Sequence, residues 1–265
     1  MGHDKLRKFA ENETFSCLLQ PPASLVLDRS EGEASGLRLL DHPVKGHWNE
    51  KMFAAAQPIV LELGCGKGDY TIALAQRHPE LNFIGVDIKG ARLWKGAKYA
   101  TEHALPNVAF LRTRIEFITS FFGPDEVSEI WLTFSDPQLR GSENKRLSSP
   151  LFLERYRTFL RPGGLIHLKT DSRFLYEYTR AVIDANGLQT LVCSTDIYAD
   201  PAFSDEEVTG IQTFYESMFL QMGLPITYLR FSLEGHEGPL VPPGDRFDAD
   251  HWRTAEGPRR SFGHQ

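Results

Sequence analysis

The sequence predicts a Rossmann-like α/β fold, in which helices cover both faces of a mostly parallel sheet of about seven strands. Three features of residues 58–233 predict it. Short apolar runs typical of strands alternate with longer helical runs, an early strand runs directly into a glycine-rich turn, and acidic residues follow several strands. This alternation indicates parallel strands joined by crossover helices.

The first unit has the sequence PIVLELGCGKGDYTIALAQRHPELNFIGVD, over residues 58–87. Glycine permits a sharp turn and lets a ligand approach the main chain, and the following helix start offers unpaired N–H groups. An acid about 20 residues past the glycines can accept hydrogen bonds from ribose hydroxyls. The predicted parts are a strand over 59–63, a turn at Gly64, Gly66 and Gly68, a helix over 69–78, and a strand over 82–86 that ends at Asp87.

The spacing of these glycines favours one class of cofactor. A dinucleotide site has the pattern G-x-G-x-x-G, whereas this chain has G-x-G-x-G preceded by Glu62. A carboxylate there would repel a pyrophosphate and attract an ammonium group. The stretch resembles the E-x-G-x-G-x-G pattern of S-adenosylmethionine-dependent methyltransferases. The alternative is a plain glycine turn of the kind that closes any α/β domain.

The rest of the domain continues the alternation, without the second mononucleotide half of a dinucleotide dehydrogenase. Gly123-Pro124 and the run Arg161-Pro162-Gly163-Gly164 are expected to end helices. Helices are predicted over 91–104, 115–122, 151–160, 174–186 and 205–222, and strands over 107–112, 129–134, 165–170, 188–194 and 226–232.

Two further segments flank this domain. Residues 1–57 form an N-terminal extension with a short helix over 48–55, and residues 234–265 lack periodicity and are expected to be a flexible tail. The cluster of Lys5, Arg7 and Lys8 fits a solvated terminus and fits equally an arm that reaches a phosphate backbone.

Composition limits the class of protein. The chain has 265 residues, a net charge of −6 and 41% hydrophobic residues, which suits one globular domain with extensions. A nucleic-acid partner would have to be held by a local basic surface. Three scattered cysteines suggest neither a disulfide framework nor a metal site, and the first residues lack a signal peptide's apolar core, so we expect a cytoplasmic protein.

Candidate site residues follow the predicted strands, because ligands of open α/β sheets bind at the carboxyl ends of the strands. Asp136-Pro137 follows the fourth strand and Asp171 the fifth. Asp171 alone could be a helix N-cap. Many amino-group methyltransferases carry Asn/Asp-Pro-Pro-aromatic after the fourth strand, but Gln138 stands in the second proline's place, which indicates a different target nitrogen.

Several motifs together resemble a specific family, the bacterial tRNA (guanine-N7-)-methyltransferases. They are LELGCGKGDYTIALA, FIGVDIKGARLWKGA, WLTFSDPQLRGSENKRL, LRPGGLIHLKTD and TFYESMFLQMGLPITYLRF, spread over residues 5–233. The resemblance implies a class I methyltransferase fold and transfer of a methyl group from S-adenosylmethionine to N7 of a guanine in the tRNA variable loop. A homodimer is possible.

The resemblance also implies roles for individual residues. Glu62, the glycines and Asp87 would bind the cofactor, and Asp136 would lie beside both cofactor and guanine as the catalytic residue. Arg140 stands where the family has a substrate-contacting lysine. The other implied substrate-binding residues are Asp171 and, from the family's T-x-[FY]-E motif, Thr213, Tyr215 and Glu216.

The chain also departs from the family pattern. Ser135 replaces a proline, and the basic run after Asp136-Pro137 is thinned, although Lys145-Arg146 remains and would contact phosphates with Arg140. Arg114 stands where the family has an acidic or amide residue, which would accept a hydrogen bond from the adenine amino group. An arginine accepts no hydrogen bond, so Arg114 would instead stack on adenine or contact tRNA. The alternatives are a methyltransferase for a small molecule or protein, and a non-catalytic tRNA-binding relative.

Overall fold

The computed structural model describes residues 2–28 and 38–256. Its helices are α1 Gly2–Asn12, α2 Trp48–Met52, α3 Asp69–Arg77, α4 Gly90–Glu102, α5 Pro150–Arg157, α6 Arg173–Ala185, α7 Glu206–Thr209, α8 Phe214–Gln221 and α9 Ala249–Glu256. Its strands are β1 Leu18–Leu19, β2 Leu27–Asp28, β3 Arg38–Leu39, β4 Ile59–Leu63, β5 Asn82–Asp87, β6 Val108–Arg112, β7 Val127–Thr133, β8 Leu160–Thr170, β9 Thr190–Ser194 and β10 Thr227–Ser232.

The predicted α/β class is confirmed. Eight strands form a mostly parallel sheet in the order β1-β6-β5-β4-β7-β8-β10-β9, and the last strands are antiparallel. The eighth strand comes from the N-terminal extension, where Leu18 of β1 pairs in parallel with Phe110 of β6. Strands β2 and β3 form a separate antiparallel pair.

The chain divides into two compact units, the first made of residues 1–130 and 158–161. Strands β4 and β5 are buried along their whole length, as expected for apolar parallel strands with both faces covered. Helix α1 lies against α4, and the side-chain amide of Asn12 donates to the carbonyl of Gly90 at 2.9 Å. The charged N-terminus is therefore a docked helix.

The second unit holds residues 131–157 and 162–265. Strand β10 runs antiparallel to β8, with Thr227 opposite Thr170. In its core the His167 ring stacks on Trp131 at 3.9 Å between centroids, and a 2.8 Å hydrogen bond joins the same ring to the hydroxyl of Tyr228.

Three predicted elements differ in the structure. The helix expected over 205–222 is two helices, because Thr213 caps α8 with a side-chain oxygen that accepts from the backbone N–H of Glu216 at 3.2 Å. Residues 161–164, predicted to follow a helix, lie within β8, where Gly163 has a φ of +70°. Residues Ile115–Ser120 form a 3-10 helix.

The segment predicted as a flexible C-terminal tail, residues 234–265, contains a helix in the structure, α9. Helix α9 packs on α6, and the Phe247 ring makes T-shaped contacts with Phe174 and Tyr178 at centroid distances of 5.1 and 5.4 Å. Aromatic burial of this kind stabilises a segment whose sequence shows no periodicity. Residues 257–265 lie outside the described part of the chain.

Candidate cofactor and substrate sites

The glycine turn between β4 and α3 has the backbone conformation that its sequence predicts. Gly64, Gly66 and Gly68 have φ values of +81°, +58° and +75°. A Cβ atom on Gly64 or Gly66 would meet nothing within 4 Å, so the main chain is open to a ligand there. A Cβ on Gly68 would lie 2.6 Å from Cε1 of Phe110, so close packing makes glycine necessary at that position.

Asp87 lies beside this turn at the end of β5. Its Oδ2 accepts from the backbone N–H of Gly66 at 3.0 Å, and its Oδ1 accepts from that of Lys89 at 2.7 Å. The side chain is held in one orientation, and each carboxylate oxygen keeps capacity for a second donor such as a ribose hydroxyl. The structure thus brings Asp87 and the glycines together.

Glu62 is buried on β4, with 4% of its surface exposed. Its Oε2 accepts from the backbone N–H of Thr71 at 2.9 Å and from the Thr71 hydroxyl. These bonds fix a carboxylate next to the first turn of α3, where the helix dipole favours negative charge.

Arg114, the remaining predicted cofactor ligand, follows β6. Its guanidinium pairs with Glu116 at 3.2 Å, and both side chains are more than 40% exposed. The structure places it in the same unit as Asp87, since the N–H of Thr113 donates to the carbonyl of Asp87 at 3.2 Å.

In the second unit, Asp136 sits in a tight loop after β7. Phe134 and Gln138 both have a φ of +50°, which is rare for residues with a side chain. Asp136 is exposed, and its Oδ1 accepts from the N–H of Gln138 at 2.9 Å. Strained backbone is concentrated at functional sites, and this loop fits that pattern.

Ser135, the neighbour of Asp136, carries a signal that sequence reasoning missed. Its hydroxyl is buried and has no hydrogen-bond partner among the described residues. An unpaired buried hydroxyl costs about 1–3 kcal/mol. A ligand that supplies the missing partner would recover this cost.

The cations after Asp136 separate into two groups. Arg140 and Lys145 are exposed, as phosphate contacts must be. Arg146 is only 5% exposed: its Nε donates to the carbonyl of Pro137 at 3.1 Å, and its guanidinium stacks on Tyr178 at 4.5 Å. The prediction that Arg146 contacts phosphate is therefore wrong, because its charge is used to hold the Asp136 loop.

The T-x-Y-E motif forms the capping box at the start of α8. Glu216 is fully buried, and its carboxylate binds the ammonium of Lys169 at 2.7 Å and the hydroxyl of Tyr198 at 2.8 Å. Lys169 also donates to the carbonyl of Ile211 at 2.9 Å, and burial lowers the pKa of its ammonium, although Glu216 opposes that shift. Tyr215, by contrast, is 43% exposed.

The contacts of Lys169 and Tyr198 were not predicted from the sequence. Lys169 lies in the run LIHLKTD at the end of β8, two residues before Asp171, and only its position beside the apolar residues of that run hinted at a buried partner.

Asp171 lines a cavity of about 270 Å³ in the second unit. The backbone N–H of Phe134 donates to the carbonyl of Lys169 at 2.8 Å. Asp136 lies two residues after Phe134, and Asp171 lies two residues after Lys169, so this bond joins the two segments that carry the acids. The cavity walls are Asp171, Arg173, Leu224, Pro225, Thr227, Trp252, Ala255 and Glu256. Three of these come from α9, which sequence reasoning assigned to a loose tail.

Over residues 2–28 and 38–256, no group of His, Cys, Asp and Glu side chains is arranged to hold a metal ion. In the same part of the chain, no helix is long and apolar enough to cross a membrane.

Comparison with known proteins finds a methyltransferase family model and relatives that share one name. Residues 56–229 match the family model Methyltransf_4, described as "Putative methyltransferase". The chain is 48% identical over 232 residues to a tRNA (guanine-N(7)-)-methyltransferase of Christiangramia forsetii, covering 87% of this chain and 98% of the relative. It is 44% identical over 261 residues to the protein of that name from Bacteroides thetaiotaomicron, covering 98% of each.

Solved structures resemble the fold at lower identity. The 16S rRNA methyltransferase KamB aligns with a TM-score of 0.54 and 17% identity, over 74% of this chain and 95% of that one. The 16S rRNA (adenine(1408)-N(1))-methyltransferase from Catenulisporales acidiphilia aligns with a TM-score of 0.50 and 17% identity, over 71% and 90%.

Proposed function

The chain belongs to the tRNA (guanine-N(7)-)-methyltransferase family, and on that premise we propose that it transfers a methyl group from S-adenosylmethionine to N7 of a guanine in the tRNA variable loop. The observation that carries this proposal is the identity of 44% over 98% of the chain with a relative of that name. The match covers 98% of this chain and therefore extends through both units.

The first unit suits S-adenosylmethionine, which supplies an electrophilic methyl group on its sulfonium when bound. The open main chain at Gly64 and Gly66 leaves room for a ligand. Asp87 holds a fixed carboxylate for ribose hydroxyls, and buried Glu62 provides negative charge for an ammonium group. Arg114 is exposed and free to turn toward adenine or RNA once its weak surface pair with Glu116 opens.

The second unit holds the proposed guanine ligands. Guanine N7 has a lone pair and carries no proton, so it needs alignment more than a strong base. Asp136 accepts from the donor groups on the Watson–Crick edge, and Asp171 is the second acceptor. Glu216, which the resemblance makes a guanine ligand, instead positions Thr213 and Tyr215, because Lys169 and Tyr198 already bind its buried carboxylate. The base must leave its own contacts in the tRNA to be reached.

The tRNA backbone requires a local basic surface in a chain with a net charge of −6. The face formed by α1 and α4 is one. Arg7, Lys8 and Lys98 surround the Trp94 ring at 5.2, 4.9 and 5.2 Å, and Lys5 extends the same helix. Since α1 is docked, these cations form a fixed surface, which favours the RNA-contact interpretation of the N-terminal cluster. Arg140 and Lys145 add contacts in the second unit.

Replacing Asp136 with alanine tests the assignment. We expect kcat/KM for N7 methylation of unmodified tRNA to fall at least about a hundredfold, the scale of losing one group that orients the reacting base. Thermal stability should be nearly unchanged, because the side chain is exposed and, in the part of the chain that the structure describes, bonds only its own loop. The measurement is single-turnover transfer of labelled methyl, with the N7-methylguanosine position mapped in the product.

Asp184→Ala is the matched control, since it removes an exposed acid from α6 in the same unit. Near-normal N7 methylation by Asp136→Ala would refute the role of Asp136. A wild-type protein that binds tRNA without methyl transfer, or methylates only proteins or small molecules, would refute the proposed function.

A further inference from the structure

The cavity at Asp171 has a wall that lies outside the part of the chain matched by the family model. That model covers residues 56–229, whereas Trp252, Ala255 and Glu256 belong to α9. The cavity therefore owes part of its shape to the C-terminal segment.

Helix α9 is held in a fixed position by two contacts, one at its last residue and one a turn earlier. Oε2 of Glu256 accepts from the backbone N–H of Phe174 at 2.7 Å, at the first turn of α6. Nε of Arg253 donates to the carbonyl of Leu139 at 2.6 Å, in the segment that follows Asp136. A helix anchored in this way presents its cavity-facing residues on a rigid support.

Trp252 is the aromatic member of this wall. Its side chain is partly exposed, its ring lies 5.7 Å from the Arg173 guanidinium, and its indole N–H has no acceptor within residues 2–28 and 38–256. Burial of a tryptophan is usually accompanied by a partner for that N–H. A ring left half open at a cavity, with its donor unused, is arranged to contact a ligand.

The remaining walls define the chemistry of the occupant. Leu224 and Pro225 are apolar, and Asp171 offers a carboxylate that accepts hydrogen bonds. Asp171 and Glu256 place two carboxylates in the cavity wall against the single cation of Arg173, so the wall is acidic on balance and disfavours a phosphate group. A volume of about 270 Å³ is at the small end of ligand pockets and suits a single heterocycle. Aromatic stacking with an acceptor at the edge is how unpaired bases are recognised.

We propose that this cavity binds the target guanine of the tRNA and that Trp252 is a base-contacting residue supplied by the C-terminal helix. The proposal rests on the proposed function and adds a residue to it: the guanine packs against the indole while Asp171 accepts from its Watson–Crick edge. Recognition of the base then depends on α9, which the chain carries beyond the methyltransferase core.

The test compares Trp252→Ala, Trp252→Leu and Trp252→Phe in the full-length protein. Leucine keeps apolar volume without a π-face, and phenylalanine keeps the π-face. We expect kcat/KM for an unmodified tRNA transcript to fall roughly tenfold to a hundredfold with alanine and leucine, the range measured for loss of one base–aromatic stack, and about twofold or less with phenylalanine. Thr254→Ala, an exposed position on the same helix, should match the wild type.

Affinity for S-adenosylhomocysteine, measured by calorimetry, should be the same in all variants, which separates base contact from general damage. Wild-type activity in Trp252→Leu, or a phenylalanine variant as defective as the leucine variant, would overturn the proposal. If the wild type itself transfers no methyl group, the proposed function fails, and transcript binding then decides: weaker binding by Trp252→Leu than by Trp252→Phe supports the base contact, and equal binding overturns it.

Discussion

At the residue scale, Gly68 connects backbone conformation with packing. Its φ of +75° and the aromatic ring of Phe110 both exclude a side chain, and the same ring lies 2.8 Å from a Cβ placed on Gly85 and 2.6 Å from one placed on Gly96. Phe110 thus packs directly against the glycine turn and limits how closely the turn can approach the sheet. The sequence predicts the turn, and the close approach of Phe110 explains why the third glycine is needed.

Replacing Gly68 with alanine should therefore cost more than replacing Gly66. Both have positive φ, which costs about 1–2 kcal/mol for alanine, but only Gly68 also clashes with Phe110, adding about 1–3 kcal/mol. Urea unfolding without cofactor measures the difference. Phe110→Leu should lower the free energy of unfolding less in the Gly68→Ala background than in the wild type, because the smaller side chain relieves the clash. Equal free energies of unfolding for the two glycine variants would contradict the packing argument.

Cys65 lies in the same turn, and burial raises the pKa of its thiol well above the usual value, with Glu62 and Asp87 adding repulsion of the thiolate. Burial also raises the pKa of Cys17. Because the thiolate is the reactive form, both should resist a disulfide reagent at pH 8, while exposed Cys193 reacts. Their reactivity should appear only as the pH rises toward the raised pKa values.

Absorbance after addition of the reagent to native protein should show one fast thiol. Cys193→Ser should remove this fast phase. Fast labelling of Cys65, located by peptide mapping, would show that the turn opens far more than its packing indicates.

At the scale of elements, the segment 205–222 shows how a buried charge organises two helices. Lys169 on β8 donates to the carbonyls of Val208 and Ile211 and to Glu216. One ammonium group thereby binds a carbonyl near the end of α7, a carbonyl in the connection and a carboxylate in the first turn of α8. A continuous helix would leave that ammonium without these carbonyls, which is why the helical pattern of the sequence is interrupted.

Lys169→Met should destabilise the protein by about 3–5 kcal/mol, because it leaves the buried carboxylate of Glu216 without its counter-charge. Lys169→Met combined with Glu216→Gln should recover part of this loss. Chemical denaturation of both single variants and the double variant gives the coupling energy. Additive effects would show that the two groups do not depend on each other.

Arg173→Ala serves as the control for this cycle, since its pair with Glu177 is partly exposed on the surface of α6. Surface pairs of this kind contribute about 0–1 kcal/mol, so this variant should remain close to the wild type. A comparable loss in both variants would remove the distinction between the buried and the exposed pair.

At the scale of the whole molecule, an acidic chain must bind a polyanion. Local surfaces achieve this because interactions between exposed charges decay within about 10 Å at 0.1 M salt. The α1–α4 face concentrates cations around Trp94. It also contains acidic residues, and Asp4, for example, pairs with Arg7.

Replacing Lys5, Arg7 and Lys8 together with alanine should weaken tRNA binding and reduce the slope of log K against log salt by about 2–3, close to one per lost phosphate contact. Filter binding across a potassium chloride series measures the slope. The control replaces Lys45, Lys51 and Arg77 and changes the net charge by the same amount. An equal loss of slope in both would mean that overall charge, not the α1–α4 face, governs binding.

The sequence by itself determined the features whose causes are local. Glycines at positive φ, the acid one βαβ step later and the alternation of strand and helix periods predicted the α/β sheet and the cofactor turn, because each depends on residues close in the chain. The whole-chain motifs likewise predicted the family.

Only the tertiary structure decided which charged residues are buried and what the C-terminal segment does. Glu216 is bound by a lysine 47 residues away, Arg146 lies over two aromatic rings, and α9 lies on α6 because Phe247 and Glu256 find partners there. The physical reason is that burial and pairing of charge depend on neighbours brought together by the fold. A sequence pattern shows the side chain that needs a partner but not the partner itself.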